Sequence, residues 1–270
     1  MARPSRRRGT ARRRDPRDSG LFVQSLEKGL AVLKAFDAQH RDMSLPELAL
    51  AAGVSKSAAQ RFAHTLETLG YLRRSARTRR LSLAPRTLDV GFAYLQSHRL
   101  IDHANPFLLD LNRTCGETVN LSEPDGTSMV FVARFTSHRH MPIHMPVGRR
   151  LPMFCTASGR AYLSAIDRAA ARELLRSSDR QRYTPSTIVD LGRLEALLDE
   201  ARELGYAWAN EEYYRGDLNF AIAVRDARGT PLAAVNVSLP TSRWTMEAGR
   251  EQIVPHLLQT ARVIVPSAPE

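Results

Sequence analysis

The stretch SLPELALAAGVSKSAAQRFAHTLETLGYL, residues 44–72, decides the fold of the first third of the chain. It opens on Ser44-Leu-Pro-Glu47, a capping box in which the serine and glutamate side chains satisfy backbone N–H groups at a helix start. Pro46 stands in the first turn, where a missing N–H costs little. A short helix follows at about 45–51, with Leu45, Leu48 and Ala49 on its inner face. Gly53 ends it, Val54 follows, and Ser55 caps a third helix running to about Leu69, which Gly70 closes. In that helix Ala58, Phe62, Leu66 and Leu69 recur near helical spacing and are expected in the core. Ser57, Gln60, Arg61 and His64 fall at i, i+3, i+4 and i+7 on another, polar face. Such a pair of helices joined by a tight glycine turn is a helix-turn-helix.

Upstream, Leu26, Leu30, Leu33 and Phe36 predict a first helix over 25–36. Residues 1–20 carry eight arginines among Pro, Gly, Ser and Asp, with almost nothing apolar to bury, so a disordered basic arm is expected. Downstream, 71–74 and 80–83 alternate like two short strands around the polar loop 75–79, which makes a wing. The winged helix-turn-helix domain then spans 21–84. Pro85 breaks the pattern, and Leu88, Gly91, Phe92 and Leu95 predict a linker helix within 85–99.

Residues 100–267 read as a second, α+β domain. A helix at about 100–114 leads into strands at 117–123 and 128–135, joined through the turn signal Asp125-Gly126. A further strand is expected at 141–145. Helices follow at 157–165, 167–176 and 191–204, then strands at 206–209, 220–225 and 232–238, then one closing helix over 245–264. Strand runs mixed with helices point to an antiparallel sheet.

The net charge is +11, and its location matters more than its size. Residues 1–83 hold 18 Lys/Arg against 7 Asp/Glu, whereas 84–270 hold 21 of each, so the whole excess lies in the first third. A localised basic footprint is the signature of polyanion binding. A recognition helix needs a buried stripe to fix it and a polar stripe to enter the major groove. Gln60 has the amide geometry to read adenine, and Arg61 the fork to read guanine. Ser55, Lys56, Ser57 and His64 share the helix start or its polar face, where phosphate can be held. Arg73, Arg74, Arg77, Arg79 and Arg80 line the wing, within reach of backbone or minor groove. The expected partner is double-stranded operator DNA.

No run of about 18 apolar residues exists, so no membrane span is expected, and no apolar segment follows the N-terminal arginines as a secretory signal requires. Cys115 and Cys155 alone make no disulfide framework and suit a reducing cytoplasm.

These residues resemble the IclR (isocitrate lyase regulator) family. The resemblance runs from about 22 to 265. It is carried by Val23-Gln-Ser-Leu-Glu-Lys-Gly-Leu-Ala-Val-Leu33, by the 44–71 stretch, by Glu117-Thr-Val-Asn-Leu121, by Gly148-x-x-Leu151-Pro-Met-Phe-Cys-Thr156-Ala-Ser-Gly159-Arg-Ala161 and by Ala233-Ala-Val-Asn-Val-Ser238. It implies a GAF-like effector-binding domain, homodimers or dimers of dimers on palindromic operators, and a small organic-acid or aromatic catabolite as effector. Carried onto matching positions, the family's pocket points to Asn120, Ser122, Thr156, Ala157, Ser158, Asn219, Ala221, Asn236 and Ser238. The 156–159 segment is expected to open a helix whose free N–H groups suit a carboxylate. Many members carry Cys or Ser where this chain has Asn219, so a relative's effector does not transfer directly.

Three rival readings carry sharper chemistry. His138, His140 and His144, with Cys155 nearby, invite a metal, but Pro142 and Pro146 disturb the segment and no zinc-binding spacing is present, so exposed loop histidines are favoured and no cofactor is expected. Cys155 invites a nucleophile, but Met153 and Phe154 make it a packing thiol, and no Gly-x-Ser-x-Gly elbow, P-loop or dinucleotide fingerprint exists, so the chain is not read as an enzyme. A non-specific binder using only the arm would account for the charge but not for the recognition helix.

Overall fold

The computed structural model describes residues 16–137 and 145–264. The chain divides between Phe92 and Ala93 into two units, each built around its own core.

In the first unit, Pro16–Asp18 form a single 3₁₀ turn, a few residues ahead of the expected start of folding at Leu21. The elements then follow as α1 (Gln24–Lys34), β1 (Asp42–Met43), α2 (Leu45–Ala51), α3 (Lys56–Thr68), β2 (Leu72–Arg74) and β3 (Leu81–Leu83). The capping box forms as read: the Ser44 N–H donates to Glu47 Oε2 at 2.7 Å, and the serine side chain accepts from the third helical N–H. Gly53 takes the turn between α2 and α3 at φ +63°, a conformation that glycine adopts without strain. Ser55 Oγ accepts from the Ala58 N–H at 3.2 Å and starts α3. The wing gains a third strand, in the antiparallel order β1-β3-β2. A two-residue strand such as β1 leaves no alternation to detect.

The inner faces of α1 and α3 are turned from the expected ones. Ala59 and Ala63 are fully buried in α3, with Phe62 and Leu66 flanking them, while Ala58 is only half-buried and Leu69 is exposed. In α1 the buried residue is Val32, and Leu26 and Leu30 face solvent. A Cβ built on Gly29 of α1 would touch Phe62 at 3.8 Å. Small residues at the contact line let α1, α2 and α3 approach closely, so the bulky leucines that dominate the periodicity are displaced to the edge or outside. The remaining core is Phe36, Met43, Leu48, Leu72 and Leu81.

A 3₁₀ turn, Pro85–Thr87, precedes α4 (Leu88–Ser97), the expected linker helix. The second unit continues with α5 (Arg99–Cys115), β4 (Thr118–Asp125), β5 (Ser128–Phe135), β6 (Arg150–Pro152), α6 (Ala157–Ala165), α7 (Arg168–Ser177), α8 (Leu191–Leu204), β7 (Ala207–Asn210), β8 (Asp217–Arg225), β9 (Pro231–Pro240), α9 (Met246–Gln252) and α10 (Val254–Val263). The six strands form one antiparallel sheet in the order β6-β5-β4-β9-β8-β7, a GAF-like α/β arrangement. Period-two alternation sends Val119, Leu121, Phe220, Val235 and Val237 to one face, against α5 and α10. The other face meets α6 through small residues, Ala207, Ala209, Ala221 and Ala234.

Two expectations are corrected here. The single closing helix over 245–264 is two helices that break at Ile253, because Pro255 stands in the first turn of the second and has no N–H to continue the first. The sheet also has a strand, β6, that was not expected, three residues long and ending on Pro152. Of the strand expected at 141–145, only Met145 is among the described residues.

Candidate nucleic-acid interface and effector pocket

Lys56, Ser57, Gln60, Arg61 and His64 are all exposed on α3, and Ser55 is its N-cap. The buried Ala59/Ala63 stripe fixes the rotation of the helix, and the polar face follows from it. The wing arginines divide into two groups. Arg74 forks onto Glu67, with Nε at 3.0 Å and Nη2 at 2.6 Å, and its Nη1 reaches the Arg79 carbonyl. Arg80 pairs with Asp42 and, at 2.7 Å, with Glu47. Hydrogen bonds from Ser44, with the Arg80 contact added, hold the Glu47 carboxyl below its ordinary range. Arg74 and Arg80 thus clamp the wing to α3, α2 and β1. Arg73 donates to Ser82 Oγ at 3.1 Å. Arg77 and Arg79 stand exposed at the wing tip, where Arg79 turns the chain at φ +59°.

In the second unit a cavity opens between the start of α6, the turn 211–216 and the polar rows of β8 and β9. Thr156, Ala157, Ser158, Asn219, Asn236 and Ser238, six of the nine expected effector residues, line it. The other three do not. Asn120 is fully buried behind Asn236, to whose Oδ1 its amide donates at 3.3 Å. Ser122 Oγ turns to the Ala234 carbonyl, and Ala221 is packed into the core beneath α6. All three share the correct face of the sheet but lie deeper in it.

The start of α6 is held tightly. Thr156 Oγ1 accepts from the Gly159 N–H at 3.3 Å and donates to the Pro152 carbonyl at 2.8 Å. A Cβ on Gly159 would lie 2.2 Å from Met153 Cα, so only glycine lets the helix rest on the backbone that follows β6. Arg160 is fully buried and forks onto Glu212, both contacts 2.6 Å, while its other donors reach the carbonyls of Phe154 and Trp208. The Glu212 carboxylate also accepts from the Ile188 N–H. Removing one partner of such a buried pair typically costs about 3–5 kcal/mol. The pair ties α6 to the turn that carries Tyr213 and Tyr214, whose rings meet edge-on at 4.7 Å.

Phe131, Met145, Leu151, Tyr213 and Tyr214 supply the apolar walls. About 30 Å³ is open to the centres of water-sized atoms, so the cavity is a narrow slot between those walls. Cys155 also lines the cavity, but burial pushes its thiol up to about 12, which fits the packing role and not a nucleophile. Sequence reasoning missed Glu212, Tyr213, Tyr214 and Asp217. The first three lie in an irregular turn without a periodic signal. Asp217 was legible: it stands two residues before Asn219 and so shares its face. Among the described residues no cluster of three or more potential metal ligands exists. His138, His140 and His144 lie outside the described residues. No helix among the described residues is long and apolar enough to cross a membrane.

Comparison with known proteins follows the same division. Residues 25–76 match the IclR helix-turn-helix domain, and residues 92–265 match the C-terminal domain of bacterial IclR transcriptional regulators. The Pca regulon regulatory protein of Pseudomonas putida is 34% identical over 89% of this chain and 82% of its own length. A transcriptional regulator from Rhodococcus sp. RHA1 superposes with a TM-score of 0.78 at 34% identity, covering 90% of this chain and 97% of its own. The inducer-binding domain of PobR from Acinetobacter, solved as a double mutant with 3-hydroxybenzoic acid, superposes with a TM-score of 0.55 at 31% identity, covering 59% of this chain and 93% of its own.

Proposed function

The chain belongs to the IclR family of bacterial transcriptional regulators, and from that premise we propose that it binds a specific operator through α3 and the wing and releases or tightens that grip when a small carboxylic acid enters the cavity beneath α6. That it is a DNA-binding regulator with an effector-binding C-terminal domain, and not an enzyme, follows from the family itself. The acid is our reading, and the observation that carries it is the cavity. Its lining includes the first turn of α6, where the N–H groups of Ala157 and Ser158 precede any intrahelical partner. Its floor is polar and its walls are aromatic and aliphatic, as a planar hydroxylated acid requires. The hydroxybenzoic acid bound by the PobR domain has this chemistry.

The narrowness of the cavity supports a regulatory role. A ligand that parts α6 from the 211–216 turn favours a different arrangement of the domain, and only such differential binding shifts an equilibrium. On the DNA side, Gln60 and Arg61 are assigned to base edges, and Ser55, Lys56, Ser57, His64, Arg73, Arg77 and Arg79 to phosphates or groove edges. The operator is expected to be palindromic and the protein a homodimer or a dimer of dimers.

The test is a pair of titrations on the full chain. DNA from the chain's own promoter region should bind roughly 10³-fold or more tighter than random DNA at physiological salt. Equal affinities would sink operator recognition. Hydroxybenzoates should raise the melting temperature and change operator affinity by the same factor that operator changes theirs. A full panel of small aromatic and aliphatic acids without effect on either would sink the sensor.

A further inference from the structure

Seven polar side chains, in and behind the cavity floor, are joined into one chain by six hydrogen bonds. Arg134 Nη1 donates to Asn120 Oδ1 at 2.9 Å. Asn120 Nδ2 donates to Asn236 Oδ1 at 3.3 Å, and Asn236 Nδ2 to Asn219 Oδ1 at 2.9 Å. Asn219 Nδ2 donates to Asp217 Oδ2 at 2.8 Å. Ser238 Oγ gives its proton to Asn219 Oδ1 at 2.7 Å. Ser158 Oγ, from α6, gives its own to Asn236 Oδ1 at 3.1 Å. The direction of the chain is set by its ends: a guanidinium only donates and an ionised carboxylate only accepts, so no amide between them can reverse without breaking contacts.

This direction has a consequence for the cavity. Each serine has one proton, and both are directed into the floor. At the β8 end Ser238 Oγ and the Asp217 carboxylate therefore present only lone pairs to a guest, and at the α6 end Ser158 Oγ does the same, so the donors there are the backbone N–H groups of Ala157 and Ser158. Arg134, the cation at the far end, does not line the cavity and lies over the Phe131 ring at 5.9 Å.

We propose that Asp217 determines the ligand class: the bound acid carries a hydroxyl or other hydrogen-bond donor at the end facing β8, and a second carboxylate there is rejected. The inference rests on the reading that the cavity takes a small acid. It adds that the acid is a hydroxylated monocarboxylate, with its carboxylate at the start of α6 and its donor on the Ser238–Asp217 wall. A dicarboxylate of the same length would bring two like charges together in a desolvated site.

Burial pushes Asp217 up to about 6, against the pull of the Asn219 amide and of Arg134. The other titratable groups on the cavity are Cys155, Glu212, Tyr213 and Tyr214. Cys155 is held up at about 12, burial raises Tyr214, and Glu212 is paired with Arg160. The wall is therefore charged at pH 8 and neutral at pH 5. The rejection of a second carboxylate should hold at the higher pH and relax at the lower.

The probes are 4-hydroxybenzoate, benzoate and terephthalate, titrated calorimetrically into the full-length protein and into Asp217→Asn, which keeps the shape and removes the charge. At pH 8 the wild type should bind 4-hydroxybenzoate at least about tenfold tighter than terephthalate, with benzoate between them. In D217N that ratio should fall by about tenfold or more, and in the wild type it should fall likewise between pH 8 and pH 5. Should D217N fold poorly, the pH arm on the wild type decides alone. Ratios unchanged by both the substitution and pH overturn the role of Asp217 while leaving the acid sensor standing. No heat with any acid in either protein overturns the sensor reading and this inference with it.

Discussion

Arg61 and Arg74 belong to the same basic domain, yet their surroundings assign them different work. Arg61 is exposed on the polar face of α3. Arg74 is about one-fifth exposed and forks onto Glu67, so its charge is already answered within the domain. Alanine at 61 should therefore weaken operator binding by about 1–3 kcal/mol and relax sequence preference, with no change in melting temperature or acid binding. Alanine at 74 should lower the melting temperature of the DNA-binding unit, and weaken operator and random DNA alike. Anisotropy titrations on operator and random duplexes, beside thermal melts, separate the two. An Arg61→Ala protein that binds operator normally would remove that residue from the interface. Sequence alone could not make this distinction, because Glu67 and Arg74 are paired by the packing of α3 on the wing and not by spacing along one element.

At the scale of elements, legibility depended on length and on which residues made the contact. Helices α6, α7 and α8 were read to within a residue of their ends, because Thr156, Asp167 and Asp190 each accept a backbone N–H and mark the starts. Strands β4 and β5 were long enough to show their alternation. By contrast β1, of two residues, carries no period, and β6, of three, was not read. In α1 and α3, alanine, glycine and Val32 form much of the contact line, so the expected pattern was right for Leu33, Phe36, Phe62 and Leu66 and wrong for Leu26, Leu30 and Leu69. Close packing by small residues leaves little hydrophobic signal but makes a sharp demand on volume, and α6 shows it most clearly. Gly159→Ala places a methyl group 2.2 Å from the Met153 backbone, which cannot move aside as a side-chain tip can. Overpacking of this kind costs about 1–3 kcal/mol. Urea denaturation of the variant should show that loss, and acid binding should weaken as the start of α6 is pushed off its seat. A variant as stable as wild type would mean that α6 is less closely seated than the structure has it.

For the whole molecule the decisive quantity is where charge resides. The excess of +11 belongs to residues 1–83, and the sensing part is balanced. Within the basic third, the structure has internal carboxylate partners for Arg17, Arg74 and Arg80, which pair with Glu27, Glu67 and both Asp42 and Glu47. By sequence, the first 15 residues hold seven arginines against one aspartate, a net +6 of the +11. Non-specific affinity for DNA is mostly counterion release, and the logarithm of the binding constant falls with the logarithm of salt by about 0.9 per phosphate neutralised. Deleting residues 1–15 should thus flatten the salt slope by about 0.9 for each arginine that meets a phosphate, and should weaken operator and random DNA by the same factor. The ratio between the two, which α3 sets, should stay constant. Titrations at four or more salt concentrations, with and without the arm, measure both quantities together. An unchanged slope would show that the arm does not touch DNA. A changed ratio would show that it reads sequence, and the division of labour between a folded reader and a charged clamp would have to be redrawn.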